Sequence, residues 1–352
     1  MGAVGAALRA GNVAAVYLVP GSIATSDALN VLADWARLFP AAARGLRRLS
    51  RRIADRTTAD WGDYTESFAR LLRSALGDPG QPRIPVRLFC WSSENHHLGR
   101  ADGAVRLIDE LASLGLEPGR RVLLWGHSHG GNVFALMTNL LAGAPEAVER
   151  FFRAAEIYYR WPIVGWVDIP VWQRVYHRLR SGRPVLPGVG LDVVTFGTPI
   201  RYGWDSGGYS RLLHFIHHRP AHGVPAYRAP FPPNLAKVRR AADGDYVQQL
   251  GIAGTNTMPS MFAWRARLAD QRLHRLVQAG LPEDEVERFQ AGAIVPEEGT
   301  TLLVDYGRPE GDIEEHRAGH AVYTRKEWLL FHAEEVARRW YAASTCRAAW
   351  RD

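Results

Sequence analysis

The stretch from Arg121 to Met137 restricts the fold more than any other. Arg121-Val-Leu-Leu-Trp125 is an apolar run of strand length, Gly126-His127-Ser128-His129-Gly130-Gly131 follows at once, and Asn132-Val-Phe-Ala-Leu-Met137 continues as a helix. A buried strand that passes directly into a helix needs a tight turn, and small residues at 126, 130 and 131 let the two elements approach closely. The serine inside such a turn takes a strained backbone conformation. Its hydroxyl then projects above the carboxyl edge of a sheet, where a helix N-terminus favours developing negative charge. A Gly-x-Ser-x-Gly match is cheap by itself, and the strand before it and the helix after it give it weight.

The rest of the chain repeats the same alternation. Apolar runs at Val13–Val19, Val86–Trp91, Val122–Trp125, Val193–Phe196, Leu212–His217 and Thr301–Asp305 read as strands. Between and around them, Asp27–Ile53, Tyr64–Leu76, Ala101–Leu114, Asn132–Leu141 and Arg325–Trp340 carry helical spacing. Strands of continuous apolar character alternating with helices predict an α/β protein with a mostly parallel sheet flanked by helices. Two segments break the pattern and are expected to be cap insertions within a single domain spanning residues 1–352. Residues 145–190 carry Trp161, Trp166 and Trp172 in a Pro-interrupted apolar stretch, and residues 220–298 mix loops with helical pieces such as Arg267–Ala279 and Glu283–Gln290.

Composition excludes several function classes. With 47% hydrophobic and 22% charged residues over 352 positions, the chain can bury a sizeable core and is neither disordered nor a disulfide scaffold. Its net charge of +7 invites a nucleic-acid reading. However, Lys occurs only at 237 and 326 and the arginines are scattered, so no nucleic-acid partner is expected. The one dense run, Arg44 to Arg56, has Leu46, Leu49 and Ile53 at helical spacing and reads as a solvated helix face, so membrane-surface contact is not expected. Cys90 and Cys346 read as unpaired thiols of a reducing compartment, and no apolar stretch reaches a membrane span, so the expected location is cytoplasmic.

Four segments together resemble the α/β-hydrolase superfamily, within it the lipases and esterases. They are the Gly126–Gly131 turn, which is similar to that family's nucleophile elbow, Tyr17-Leu-Val-Pro-Gly-Ser22, Thr195-Phe-Gly-Thr-Pro199, and Gly319-His320. The resemblance implies an α/β-hydrolase fold and a serine esterase or lipase using a Ser-His-Asp triad without a cofactor. It implies Ser128 as nucleophile and His320, in a loop before the last helix, as base, with His316 as second candidate. Asp245 matches the family's acid, although a long segment separates it from the strand ending near His217; Asp243, Asp205 and Asp305 are alternatives. The oxyanion hole is expected from the backbone N–H groups of His129 and Ser22, because Pro20 has no N–H to give.

The chemistry requires these parts: a serine hydroxyl is a poor nucleophile until a neighbouring imidazole takes its proton, and the acid holds that imidazole in the right tautomer. His214, His217, His218 and His222 cluster in sequence, but no cysteine or carboxylate pair completes a ligand set, so no metal is expected. The expected partner is a small-molecule ester or lipid-like substrate, and nothing in the sequence speaks to oligomeric state. Two alternatives stay open: an acyltransferase or amidase on the same triad, and a hydrolase-like fold kept as a non-catalytic binding module. The tryptophans of 145–190 either border an apolar acyl pocket, with the segment acting as a lid, or pack as the core of a cap.

Overall fold

The structure is a computed structural model that describes residues 2–22, 64–161, 168–252, 256–259, 263–278, 287, 290–309 and 311–342. The expected helix 27–53 with its arginine run, most of the 283–290 piece, Trp166 and Cys346 lie outside the described residues.

Strands β1 (Val13–Val19), β2 (Val86–Leu88), β3 (Arg121–His127), β4 (Gly190–Phe196), β5 (Arg211–His217) and β6 (Thr300–Val304) form one parallel sheet in the order β2-β1-β3-β4-β5-β6. The four central strands are buried almost end to end, which is why they read as continuous apolar runs. Successive rows alternate between faces. Tyr17, Leu124, Val193 and Leu212 line up across the sheet and join one core, whereas Leu18, Trp125, Val194 and Leu213 join the other.

Helices α1 (Gly2–Ala10), α2 (Glu66–Ala75), α3 (His97–Ser113), α4 (His129–Ala142), α5 (Pro145–Tyr159), α6 (Pro170–Arg180), α7 (Tyr246–Ile252), α8 (Trp264–Gln278) and α9 (Leu329–Trp340) surround the sheet. Residues of α1, α2 and α9 contribute to one core, while α3 and α4, with α5, α6 and α8 outside them, contribute to the other. Thr65 caps α2 by accepting the Phe68 N–H at 3.3 Å. Helix α3 starts four residues earlier than periodicity predicts, because His96 Nδ1 accepts the Gly99 N–H at 2.9 Å and supplies the cap. Strand β2 is shorter than expected. It ends at Leu88, after which Phe89 N–H still donates to Leu18 O at 2.9 Å and Trp91 Nε1–H donates to Pro20 O at 2.9 Å, so the chain leaves the sheet over the end of β1.

Segment 145–190 contains two helices, each opened by a proline at its start, where the missing N–H costs nothing. Trp172 is fully buried between Phe151 and Tyr159, with ring centroids 6.0 and 5.1 Å away, and its Nε1–H donates to Asp102 Oδ1 of α3 at 2.7 Å. It packs as core, the second of the two readings that composition left open. Trp161 is covered by the Arg265 guanidinium, 3.8 Å from its ring centroid. No helix among the described residues is long and apolar enough to cross a membrane.

Candidate active site

The strand order reverses direction at β1: the chain steps outward to β2 and then crosses back to β3 on the other side. In open parallel sheets the crevice outside the carboxyl ends of two such strands is where ligands bind. Here those two ends carry Val19-Pro20-Gly21 and His127-Ser128. They touch so closely that a Cβ at Gly21 would stand 2.7 Å from the Ser128 Cβ.

Ser128 has φ 51° and ψ −128°, a conformation that costs an L-residue energy and survives only when its surroundings hold it. Three hydrogen bonds do so. Ser128 N–H donates to Phe196 O at 2.8 Å, and Ser128 O accepts from Gly131 N–H at 3.1 Å and from Thr198 Oγ1 at 2.8 Å. The small residues of the turn are needed for space: a Cβ at Gly126 would meet the Phe134 ring at 2.5 Å, and one at Gly130 would strike the carbonyls of Val19 and Pro20. His129 opens α4, whose first N–H groups have no intrahelical acceptor. Ser22 lies next to Gly21, and its Oγ is buried without a partner among the described residues.

Asp245 is fully buried, and its backbone N–H donates to His217 O at 2.9 Å, at the carboxyl end of β5. The long segment after β5 therefore returns to the strand end it left. Asp245 Oδ1 accepts the Gln248 N–H at 2.9 Å, so the carboxylate sits at the start of α7 as a cap and is fixed in orientation. Its Oδ2 is 2.7 Å from His320 Nδ1. A carboxylate only accepts, so Nδ1 carries the proton and Nε2 is left as the basic nitrogen. Arg317, Ala318 and Gly319, at φ 46°, 50° and 93°, turn the chain sharply before His320. A Cβ at Gly319 would collide with the backbone of Gly244, which sets this loop directly against the acid's own loop.

His320 packs against His127, the residue before the serine, with tilted rings whose centroids are 4.6 Å apart, and the His320 carbonyl lies 3.3 Å from His127 Nε2. His320 Nε2 is enclosed and has no hydrogen-bond partner among the described residues, so it is not bonded to Ser128 Oγ. The arrangement brings a strained serine, a helix N-terminus and a carboxylate-oriented imidazole to one sheet edge. Burial and the neighbouring His320 hold His127 well below the usual imidazole pKa, and burial with Arg100 and Arg201 does the same to His129, so both stay neutral.

The other candidates lie elsewhere. Asp243 binds Lys237 Nζ at 3.1 Å and the Tyr246 hydroxyl at 2.8 Å. Asp205 accepts the Gly207 N–H at 2.9 Å on a surface turn, and Asp305 pairs with Arg219 at 2.6 Å. His316 lines a 230 Å³ cavity with His217, Tyr306 and Arg325. Among the described residues no three His, Cys, Asp or Glu side chains are grouped to hold a metal; His214, for one, is 2.6 Å from Thr195 Oγ1 within the sheet. The segment 195–199 acquires a structural meaning: it braces Ser128 through Phe196 and Thr198, and Gly197 leaves room for Asp245 Oδ2, 2.7 Å from where a Cβ would stand.

Sequence reasoning missed Tyr323, whose hydroxyl donates to Asp245 Oδ2 at 3.1 Å, and the ring contact of His127 with His320. Tyr323 stands three residues after His320, the spacing at which helical side chains meet, and this was the one signal available for it.

Fold and site together define an α/β protein with an all-parallel sheet and a polar cluster at its carboxyl edge. Comparison of the chain with protein-family models, with curated proteins and with solved structures finds no match.

Proposed function

We propose that the protein is a serine hydrolase of the α/β-hydrolase type that cleaves carboxylic esters through Ser128, His320 and Asp245. The observation that carries this reading is the 2.7 Å Asp245–His320 hydrogen bond, with the His320 ring packed on His127, next in sequence to a serine held in left-handed backbone geometry at a strand end. Ser128 Oγ attacks the ester carbonyl as His320 Nε2 takes its proton. The tetrahedral oxyanion is held by the N–H groups of His129 and Ser22. Its collapse expels the alcohol, which receives the proton from His320, and an acyl-Ser128 remains. Water then attacks the acyl carbon, giving its proton to His320, and collapse returns that proton to Ser128 and frees the acid. Asp245 holds the His320 ring in place and stabilises the imidazolium. The mechanism needs no cofactor.

The test is fluorophosphonate labelling together with hydrolysis of 4-nitrophenyl esters. Ser128→Ala should abolish labelling, His320→Ala should lower kcat by roughly 10⁴ to 10⁶, and Asp245→Asn by roughly 10² to 10⁴. An Asp243→Asn variant should keep most of its turnover. If the Ser128→Ala protein retained labelling and turnover, the nucleophile would lie elsewhere.

A further inference from the structure

Arg100 is completely buried in the first turn of α3, beside the nucleophile turn. Its Nε donates to the Tyr202 hydroxyl at 2.8 Å, its Nη1 to Asn95 Oδ1 at 3.1 Å and its Nη2 to Asn256 Oδ1 at 2.7 Å. Nη1 also stands 3.5 Å from His129 Nδ1. All four partners are neutral, and no carboxylate pairs with Arg100 among the described residues. A buried cation that no described carboxylate pairs with is costly; the nearby Asp270 carboxylate is bonded to the start of α3, where Oδ1 accepts the Leu98 N–H at 2.8 Å, and not to the Arg100 guanidinium. Arg201, also buried, adds to the positive field felt at His97 and His129. The triad uses none of this charge.

His129 connects the charge to the reaction centre. Asn132 Nδ2 donates to His129 Nδ1 at 3.1 Å and to Pro199 O at 3.1 Å, so the His129 proton resides on Nε2. His129 is more than nine-tenths buried; both of its hydrogen-bond contacts among the described residues are made at Nδ1, and Nε2 is not among the fully enclosed polar atoms, so it keeps some access to solvent. A donor without a partner among the described residues therefore sits one residue from Ser128, backed by a guanidinium that no described carboxylate pairs with and by the uncapped N-terminus of α4.

We propose that the ester this site accepts carries a carboxylate within a few atoms of the scissile carbonyl, bound by His129 Nε2–H and counter-charged by the buried Arg100. The inference rests on the hydrolase reading above and names its substrate class. It is tested with two near-isosteric esters, mono-4-nitrophenyl glutarate and 4-nitrophenyl pentanoate, with rates corrected for spontaneous hydrolysis. Wild type should prefer the glutarate in kcat/KM by about tenfold or more, and Arg100→Gln should bring that ratio to about one. If the Arg100 variant does not fold, His129→Phe carries the same test, since it leaves Arg100 in place and removes the donor. A wild-type ratio at or below one, or a ratio unchanged in a folded variant, overturns the proposal and leaves the hydrolase reading standing. So does a protein that labels with fluorophosphonate yet leaves the glutarate ester intact. Loss of both labelling and turnover of either ester removes the hydrolase reading and this inference together.

Discussion

Tyr323 and Asp245 are joined by a buried hydrogen bond in which the phenol donates to Oδ2 at 3.1 Å, the same oxygen that accepts from His320 Nδ1. The phenol oxygen in turn accepts the His217 N–H at 2.7 Å, which anchors it to the end of β5. The Asp245 carboxylate thus receives three donors, from Gln248, His320 and Tyr323, and none of them is solvent.

Tyr323→Phe keeps the ring and removes only the hydroxyl, leaving Asp245 one donor short and the His217 N–H without its acceptor. We expect a stability loss of about 1.5 to 3 kcal/mol in urea unfolding, the usual range for a hydrogen bond to a charged group. As a positioning residue for the acid, Tyr323 should also affect kcat by about tenfold while KM changes little. A folded variant with reduced stability and unaltered kcat would reduce Tyr323 to a packing role.

Ser128 pays conformational strain for its position. Ser128→Gly removes the serine Cβ that disfavours φ 51° and should raise stability by about 1 kcal/mol relative to Ser128→Ala, despite glycine's greater freedom in the unfolded chain. Both variants lose the proposed nucleophile and should lose labelling. Thermal unfolding of the pair decides the point, and a glycine variant less stable than the alanine variant would show that the backbone at 128 is not strained.

Trp172 offers a contrast between packing and function. Stacked on Phe151 and Tyr159 and bonded to Asp102, it holds α5 and α6 against α3. Trp172→Ala should cost about 3 to 5 kcal/mol. The relative kcat/KM for acetate, butyrate and octanoate esters should be unchanged in the folded fraction. A shifted chain-length profile at normal stability would instead return this residue to the substrate pocket.

The sheet was legible because both of its faces are covered, so β1, β3, β4 and β5 appear as mostly apolar runs with boundaries within a few residues of those expected. The start of α3 was not, since its cap is a histidine side chain and its first turn holds a buried arginine where periodicity suggests a solvated face. Asp245 looked remote from β5 along the chain. Its backbone bond to His217 shows that segment 219–243 is an excursion that closes on itself, and contour length says nothing about such closure. The contacts of Tyr323 and His127 were hidden for a related reason: they depend on three consecutive left-handed residues before His320, two of which are not glycine.

His332 makes stability depend on pH in a direction that can be worked out. It is fully buried in α9 among Trp125, Phe196 and Phe215, its Nε2 lies 2.7 Å from the Tyr306 hydroxyl, and burial lowers its pKa to about 3. In the unfolded chain the same imidazole titrates near ~6.5. Between those values the unfolded state binds a proton that the folded state does not. Stability therefore falls as pH falls, by about 1.4 kcal/mol per pH unit for this one group, and is insensitive to it above ~6.5. His214, lowered by burial to about 4, acts in the same sense. His332→Gln keeps a partner for Tyr306 but cannot titrate. Urea unfolding at pH 7.5, 6, 5 and 4.5 should give a slope shallower by about 1.4 kcal/mol per pH unit below pH 6 in the variant than in wild type. Parallel slopes would mean that His332 takes up its proton in the folded protein as readily as in the unfolded chain.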